Sequence, residues 1–295
     1  MEFESTYTFA IFALLVGLEL TWSMIRRRPV YSAGETLANL TIAVGNGLLR
    51  PAALAWSYFV MAWLESAQRL ALPETAWAFV LTFIVVDFVY YGYHRASHEL
   101  RWLWTMHHTH HSSPWYNFST AVRLNWMAKF ISPLFFAPLV VVGFSAEFVA
   151  LSLALGLVYQ LFLHTEAVPS LGHLEGLLLN TPSAHRVHHG SNPQYIDRNY
   201  AGVFIVWDRL FGTYQPEGER VRYGVTTGCL GHNPLVIQFA PLLRHLSGSF
   251  HREAYDRQHP VKNPVKNPAR KPAKKPEIAS NGAGGATKPA HAGEA

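Results

Sequence analysis

Three histidine clusters constrain this chain more than any other feature. HRASH sets His94 and His98 four residues apart, HHTHH contains His107, His110 and His111 as HxxHH, and HRVHH repeats that spacing with His185, His188 and His189. On a helix, residues at i, i+3 and i+4 share a face, with Cβ atoms about 5–6 Å apart. Each cluster is therefore expected to aim two or three imidazoles at one point. Neutral imidazole is a ligand for iron, zinc, copper and nickel. His164, which ends an apolar run in LFLHTE, adds a ninth nitrogen. One ion takes about four to six ligands, so nine suit two ions with room for water or oxygen. A fold for this chain has to gather distant segments around that pair. His108 points away from the face shared by His107 and His111, and is read as a supporting or surface residue. His173, His232, His245, His251 and His259 stand alone and are read as ordinary polar side chains.

The remaining residues narrow the chemistry. Cys229 is the single cysteine, so there is no intrachain disulfide and the ligands are not thiolates. A closed structural zinc site uses four ligands and would leave most of these histidines over. HRASH has the spacing of a zinc protease helix but lacks the glutamate after its first histidine. Glutamates follow two ligands instead, Glu99 after His98 and Glu166 after His164, where they could orient imidazoles. The net charge of +5 is misleading. From Gln258 onward there are seven Lys/Arg and two Asp/Glu, so the rest of the chain is balanced and is not a nucleic-acid binder by charge.

Only 15% of residues are charged, against roughly 25% in soluble domains, and 49% are hydrophobic. Residues 9–25 form an apolar run closed by Arg26–Arg28. The run lacks a basic start and a cleavage site, and so reads as a membrane anchor with the arginines in the cytoplasm. Glu19 within it needs a protein partner. Residues 37–64 are apolar but interrupted at Arg50-Pro51, which predicts one broken helix or two halves leading to an outer loop at 65–74. Residues 75–93 return, with Asp87 deep in the span as either a ligand partner or a structural acid. Residues 130–142 and 147–163 predict a hairpin that enters and leaves on one side, which places every cluster on the same membrane face. A polar cap at 170–257 follows, with an amphipathic stretch at 200–211, and then a basic Lys/Pro-rich tail at 258–295 that is expected to be disordered.

Breaking an unactivated C–H bond needs a strong oxidant made from O2, and two irons can share the electrons for O–O cleavage. Soluble di-iron bundles use Glu and Glu-x-x-His ligands. Here histidine replaces most carboxylates, at the mouth of a membrane bundle that a lipid can enter. No GxGxxG or CxxC motif is visible, so the reductant is expected to be separate. A membrane metal transporter or sensor is the distant alternative. It would require polar groups along the spans, where only Glu19, Arg50 and Asp87 occur.

HxxxH, HxxHH and HxxHH in this order resemble the fatty acid hydroxylase/sterol desaturase superfamily of integral-membrane di-iron enzymes, from about Asp87 to Tyr223. The stretches HHTHHSSPWYNFSTAVR and HTEAVPSLGHLEGLLLNTPSAHRVHHGSNPQYIDRNYAGVFIVWDRLFGTY look like its alkylglycerol monooxygenase-like members. The resemblance implies an all-α, integral-membrane helical bundle. Beyond the anchor it would have about four spanning or re-entrant segments and a cytoplasmic, histidine-rich di-metal cap. N-terminal membrane segments would occupy 1–74 and the hydroxylase-like domain 75–257. His94, His98, His107, His110, His111, His164, His185, His188 and His189 would hold two iron ions, with a catalytic or supporting role for Glu99. O2 and an external electron donor, a tetrahydropterin or a redox protein, would drive hydroxylation of a bilayer lipid. An ether lipid is the favoured substrate, and hydroxylation or desaturation of a sterol or fatty acid the alternative. Asn180, Asn199, Trp207 and Asp208 lie in matching stretches and are read as packing residues of the cap.

Overall fold

The structure, a computed structural model, describes residues 2–67 and 70–249. The tail at 258–295 lies outside them, as do His251 and His259 and the side chain of His173. Among the described residues the chain is helical with no strand, in agreement with the all-α expectation. One isolated antiparallel bridge joins Leu179 to Phe204.

Helix α1 (Glu2–Ile25) takes up the first apolar run and stops at the arginine triplet. Glu19 is buried on it and finds the partners it needs. It accepts hydrogen bonds from the Tyr31 hydroxyl (2.6 Å), the Phe118 N–H (2.9 Å) and the Thr165 hydroxyl. One acid thus ties α1 to two segments that flank histidine clusters.

Helix α2 (Ala33–Glu65) runs unbroken for 33 residues through Pro51. The sequence suggested an interruption there, because proline removes an intrahelical bond at a cost of about 3 kcal/mol. Packing along its length holds the helix together: α2 lies against α5 (Ala128–Val142). The indole of Trp126 occupies the space where Gly45 lacks a side chain and donates to the Ile42 carbonyl (3.0 Å).

Helix α3 (Ala76–Glu99) is, among the described residues, the one helix long and apolar enough to cross a membrane. Residues 10–25 of α1, α5 and α6 (Ala146–Leu161) are apolar but shorter. Large apolar side chains face outward on several of these helices, among them Leu48, Trp63, Val80 and Val142, each more than half exposed. Apolar surface on this scale marks an interaction face rather than a water-exposed one. The hairpin of α5 and α6 forms as expected. Gly143 turns the corner at φ 127°, and a Cβ added there would lie 2.8 Å from the Leu70 carbonyl oxygen.

Two buried charged groups lock the histidine-bearing end. Asp87 is a structural acid that clamps α3 to the cap, accepting from the Val203 and Phe204 N–H groups (2.8 and 2.9 Å) and the Trp207 indole (2.9 Å). Arg123 is fully buried and donates to Glu35 (3.1 Å) and Asn39 (2.9 Å) on α2. It also donates to the Thr109 carbonyl and the Ser112 hydroxyl (both 2.9 Å), at the end of α4 (Arg101–His111). The short helices α7 (Pro182–His188) and α8 (Val206–Leu210) and the helix α9 (Pro234–Leu246) complete the cap, with α9 packed on α4. The amphipathic stretch expected at 200–211 is a loop followed by α8.

Candidate metal centre

His94 and His98 stand one turn apart at the end of α3. A single extended residue, Leu100 (φ −94°, ψ 119°), folds the chain back into α4. That turn sets His107, His110 and His111 opposite the α3 pair. His164 follows the last turn of α6. Thr181 caps α7 through its side chain, with Pro182 at the first helical position, and α7 delivers His185, His188 and His189.

The nine nitrogens fall into two groups, within each of which the ligand atoms lie within 4.8 Å of one another. One group is His94, His98, His107, His111 and His188; the other is His110, His164, His185 and His189. Of the two or three imidazoles that the spacing allows each cluster to aim at one point, the structure brings two together. Neither HxxHH motif converges on a single point. In each, the i, i+4 pair enters one group and the third histidine enters the other. His107 and His111 part from His110, and His185 and His189 part from His188. The reason is helical geometry. Adjacent or i+3 residues are rotated enough on a helix that one face turns toward each centre, while i and i+4 stay stacked. The two groups remain in contact, with the His111 and His189 rings stacked 4.4 Å apart at 21°.

Hydrogen bonds fix several tautomers. A carbonyl can only accept, so His94 donates from Nδ1 to Tyr200 (2.7 Å), His164 to Gln160 (2.8 Å) and His188 to Arg198 (3.0 Å). His98 Nδ1 lies 3.5 Å from the Asp197 carboxylate. The Nε2 lone pairs of His94, His164 and His188 are thereby left free to face a cation, the usual support for metal-binding imidazole. Asp197, Arg198 and Tyr200 belong to one loop, in which Asp197 and Asn199 adopt left-handed φ of 57° and 56°. Such residues tolerate that conformation through their short polar side chains. The Asp208 carboxylate holds the next turn by accepting from the Tyr200 and Ala201 N–H groups (both 2.8 Å). Asn199 bridges the Ala184 and Gln215 carbonyls (2.9 and 2.8 Å), and Asn180 donates to the Ala201 carbonyl (2.7 Å). Asn180, Asn199, Trp207 and Asp208 are thus seen packing the cap.

The residues fit a metal centre. His94 and His107 approach Nε2 to Nε2 at 3.0 Å, as do His107 and His111. His164 lies 3.2 Å from His110 and 3.1 Å from His185. Nitrogens about 2.1 Å from one ion, and at right angles around it, are about 3.0 Å apart. With its own proton committed to Gln160, His164 has one in-plane lone pair directed at two neighbouring nitrogens, which suits a shared cation. Buried His188 Nε2 and His189 Nε2 have no hydrogen-bond partner in the protein, and unpaired buried polar atoms are otherwise rare. Burial, followed by the neighbouring imidazoles, holds His107, His110, His111, His185, His188 and His189 well below the ordinary imidazole pKa. Burial alone lowers His164 to about 4. The rings are kept neutral, as metal ligands must be.

The other expected residues have separate places. Glu99 pairs with Arg95 (2.8 Å) and its side chain is 45% exposed. Glu166 interacts with Tyr223. His108 is buried rather than on the surface, with Nε2 3.3 Å from the Thr227 hydroxyl and its ring edge-on to Trp104. His232 reaches Glu35 (3.1 Å). Sequence reasoning missed Asp197, Tyr200 and Arg123. Asp197 and Tyr200 carried one signal, a DRNY run of turn-forming residues shortly after the last histidine cluster. A lone arginine like Arg123 carries none.

Residues 79–213 match the fatty acid hydroxylase family. Over 171 residues, 58% of this chain and 38% of the relative, the sequence is 48% identical to alkylglycerol monooxygenase of Danio rerio. Over 234 residues, 78% of the chain and 52% of the relative, it is 38% identical to alkylglycerol monooxygenase of Homo sapiens. An ornithine lipid hydroxylase of Rhizobium tropici is 27% identical over 239 residues, 74% of the chain and 67% of that protein. The chain thus spans 38–52% of the length of these two vertebrate relatives. No solved structure matches it. Residues 79–213, which contain all nine clustered histidines, are thus similar to the fatty acid hydroxylase family, and alkylglycerol monooxygenases are among the proteins that the chain resembles.

Proposed function

We propose that this chain is a membrane di-iron oxidoreductase that uses O2 to hydroxylate a lipid, with an alkylglycerol-type ether lipid as substrate. The observation that carries the reading is the convergence of nine imidazoles, from four separate segments, into two touching buried groups. Similarity to alkylglycerol monooxygenases supports the choice of substrate. In this reading His94, His98, His107, His111 and His188 hold one iron, and His110, His164, His185 and His189 the other. The irons, when bound, supply the activation of O2 with electrons from a separate reductant, a tetrahydropterin or a redox protein.

The protein's own part is positioning and exclusion of water. The carbonyls of Tyr200, Arg198 and Gln160 fix the ring orientations, and burial keeps the imidazoles unprotonated. Glu99 acts as a supporting residue at the rim, holding Arg95 beside the last turn of α3. The overall reaction takes one O2, two electrons and two protons. It converts the ether-linked CH2 to CH–OH and releases one water. The resulting hemiacetal separates into a fatty aldehyde and an alcohol.

The chain is read as a multi-pass membrane protein with its histidines on the cytoplasmic side, in the inner membrane of a bacterium or, in a eukaryote, the endoplasmic reticulum. Residues 1–74 supply membrane segments, 75–257 the di-iron domain and 258–295 a basic tail. Likeness to the ornithine lipid hydroxylase favours a second reading, hydroxylation of a different lipid, with a sterol or fatty acid as alternatives. The test is metal analysis of detergent-purified protein together with lipid mass spectrometry. Two irons per chain and fatty aldehyde from added alkylglycerol are expected, with both activity and aldehyde lost in His110→Ala. Fewer than one iron per chain after reconstitution defeats the di-iron reading. A lipid that gains one oxygen without yielding aldehyde selects the second.

A further inference from the structure

The cap carries an apolar surface that a domain standing free in water would not. Leu174, Leu177, Leu178 and Leu179, in the linker between His164 and His185, are 44–67% exposed, and Leu210 and Phe211 at the end of α8 are 69% and 45% exposed. Contacts join these two stretches. Leu179 bridges Phe204, and Arg209 donates from Nε to the Gly176 carbonyl.

The same surface runs onto α3. Phe88, near the middle of that helix and 42% exposed, lies 5.1 Å from the Trp207 ring and 6.1 Å from the Phe211 ring, while Phe83 meets Phe204 edge-on at 5.9 Å. The cap therefore descends beside α3 at the level of its apolar middle, and the exposed leucines extend the outward apolar face of that helix.

The charges within this surface are Glu175, half-buried, and Arg209, exposed, and both make contacts with the protein. Glu175 accepts from the Leu171 N–H (2.9 Å) and from the Thr181 hydroxyl. The Arg209 guanidinium also lies 4.6 Å over the Tyr214 ring. Exposed charges gather elsewhere on the cap, at Glu219, Arg220 and Arg222. A surface with leucines on one side and charges on the other is that of a segment lying in a bilayer interface.

We infer that residues 174–179 and 206–211 are immersed in the phospholipid bilayer beside α3, so that the linker between two histidines of the four-histidine group is bathed in lipid rather than water. The inference rests on the reading that α3 spans the membrane. It adds the place where a lipid substrate meets the cap, since the chain between His164 and His185 is itself the lipid-contacting element.

Nitroxide labels on a Cys229→Ser background test it in nanodiscs of phosphatidylethanolamine and phosphatidylglycerol. Labels go at Leu178→Cys and Leu210→Cys, with Val80→Cys on α3 as the lipid reference and Arg220→Cys as the water reference. Leu178→Cys and Leu210→Cys are expected to match Val80→Cys, with frequent collisions with oxygen and loss of collisions with a water-soluble nickel chelate. If they match Arg220→Cys while Val80→Cys stays in lipid, the inference falls and the spanning reading survives. If Val80→Cys is itself open to the nickel chelate, the spanning reading falls and takes the inference with it. Exclusion of both reagents with spin–spin broadening would mean that a second copy covers the surface, and would also overturn the inference.

Discussion

The two histidine groups are built from the same residue type, yet they are held differently. In the five-histidine group, three members lean on one loop: His94 on the Tyr200 carbonyl, His188 on the Arg198 carbonyl and His98 on the Asp197 carboxylate. In the four-histidine group, His164 is tied to its own helix through Gln160, and Tyr116 stacks against it at 5.7 Å. The first group is oriented by a distant segment of chain, whereas His164 of the second is tied to the helix that precedes it. Ligand identity is therefore only half of a metal site; the other half is what fixes each ring. The five-histidine group is expected to depend on the 197–200 loop, and the four-histidine group to be indifferent to it.

Removing ligands should break the comparison most severely. His98→Ala and His164→Ala are each expected to abolish turnover, but to release metal from different groups, which iron analysis with Mössbauer spectroscopy would resolve as loss of different components. Identical residual spectra would mean that the groups are not separate sites.

Acidification comes next and bears on the four-histidine group. Buried His110, His185 and His189 are held well below the ordinary imidazole value, and His164 down to about 4. In the unfolded chain each takes up a proton near pH 6.5. Below that pH the unfolded state binds more protons than the folded one, so stability falls as pH falls from about 6.5 toward 4 and is fully present above that window. His164 alone accounts for about 3 kcal/mol at the lower end. Thermal unfolding of the metal-free protein across this range should show a falling Tm, and a flat Tm would contradict burial of neutral rings.

Asp197→Ala sharpens the contrast between groups. Loss of an outer carboxylate typically lowers metal affinity about 10–100-fold. Competition with a chelator should show weaker binding in the five-histidine group alone, and equal weakening of both would remove the distinction. The smallest effect is expected from Glu99→Gln. The Arg95–Glu99 pair is about 40% exposed, and surface ion pairs contribute about 0–1 kcal/mol. Thermal stability should barely move. A fall in kcat greater than about tenfold, or 1.4 kcal/mol, with KM unchanged would give Glu99 more than a supporting role.

Much of this was legible in the sequence because local spacing carries it. Clustered histidines at i, i+3 and i+4 announce candidate ligands whatever the rest of the chain does, and apolar runs announce helices. Glu19 within such a run announced a need that Tyr31, Phe118 and Thr165 meet. The division of each HxxHH motif between two groups was not legible, although it follows from helical rotation, because the choice depends on where the partner helices stand. Pro51 read as a break for a similar reason: its local cost is visible in the sequence, whereas the packing of α2 on α5 is not.

The sequence by itself determined the histidine clusters, the helical class and the family resemblance, since each is written in residue identity and short-range period. Only the tertiary structure decided which histidine joins which group, that Asp87 serves as a clamp for the cap, and that Arg123 fastens α4 to α2. These are contacts between residues as much as 120 positions apart. They arise from burying polar groups that must find partners wherever the folded chain brings them, and no spacing along the chain records that.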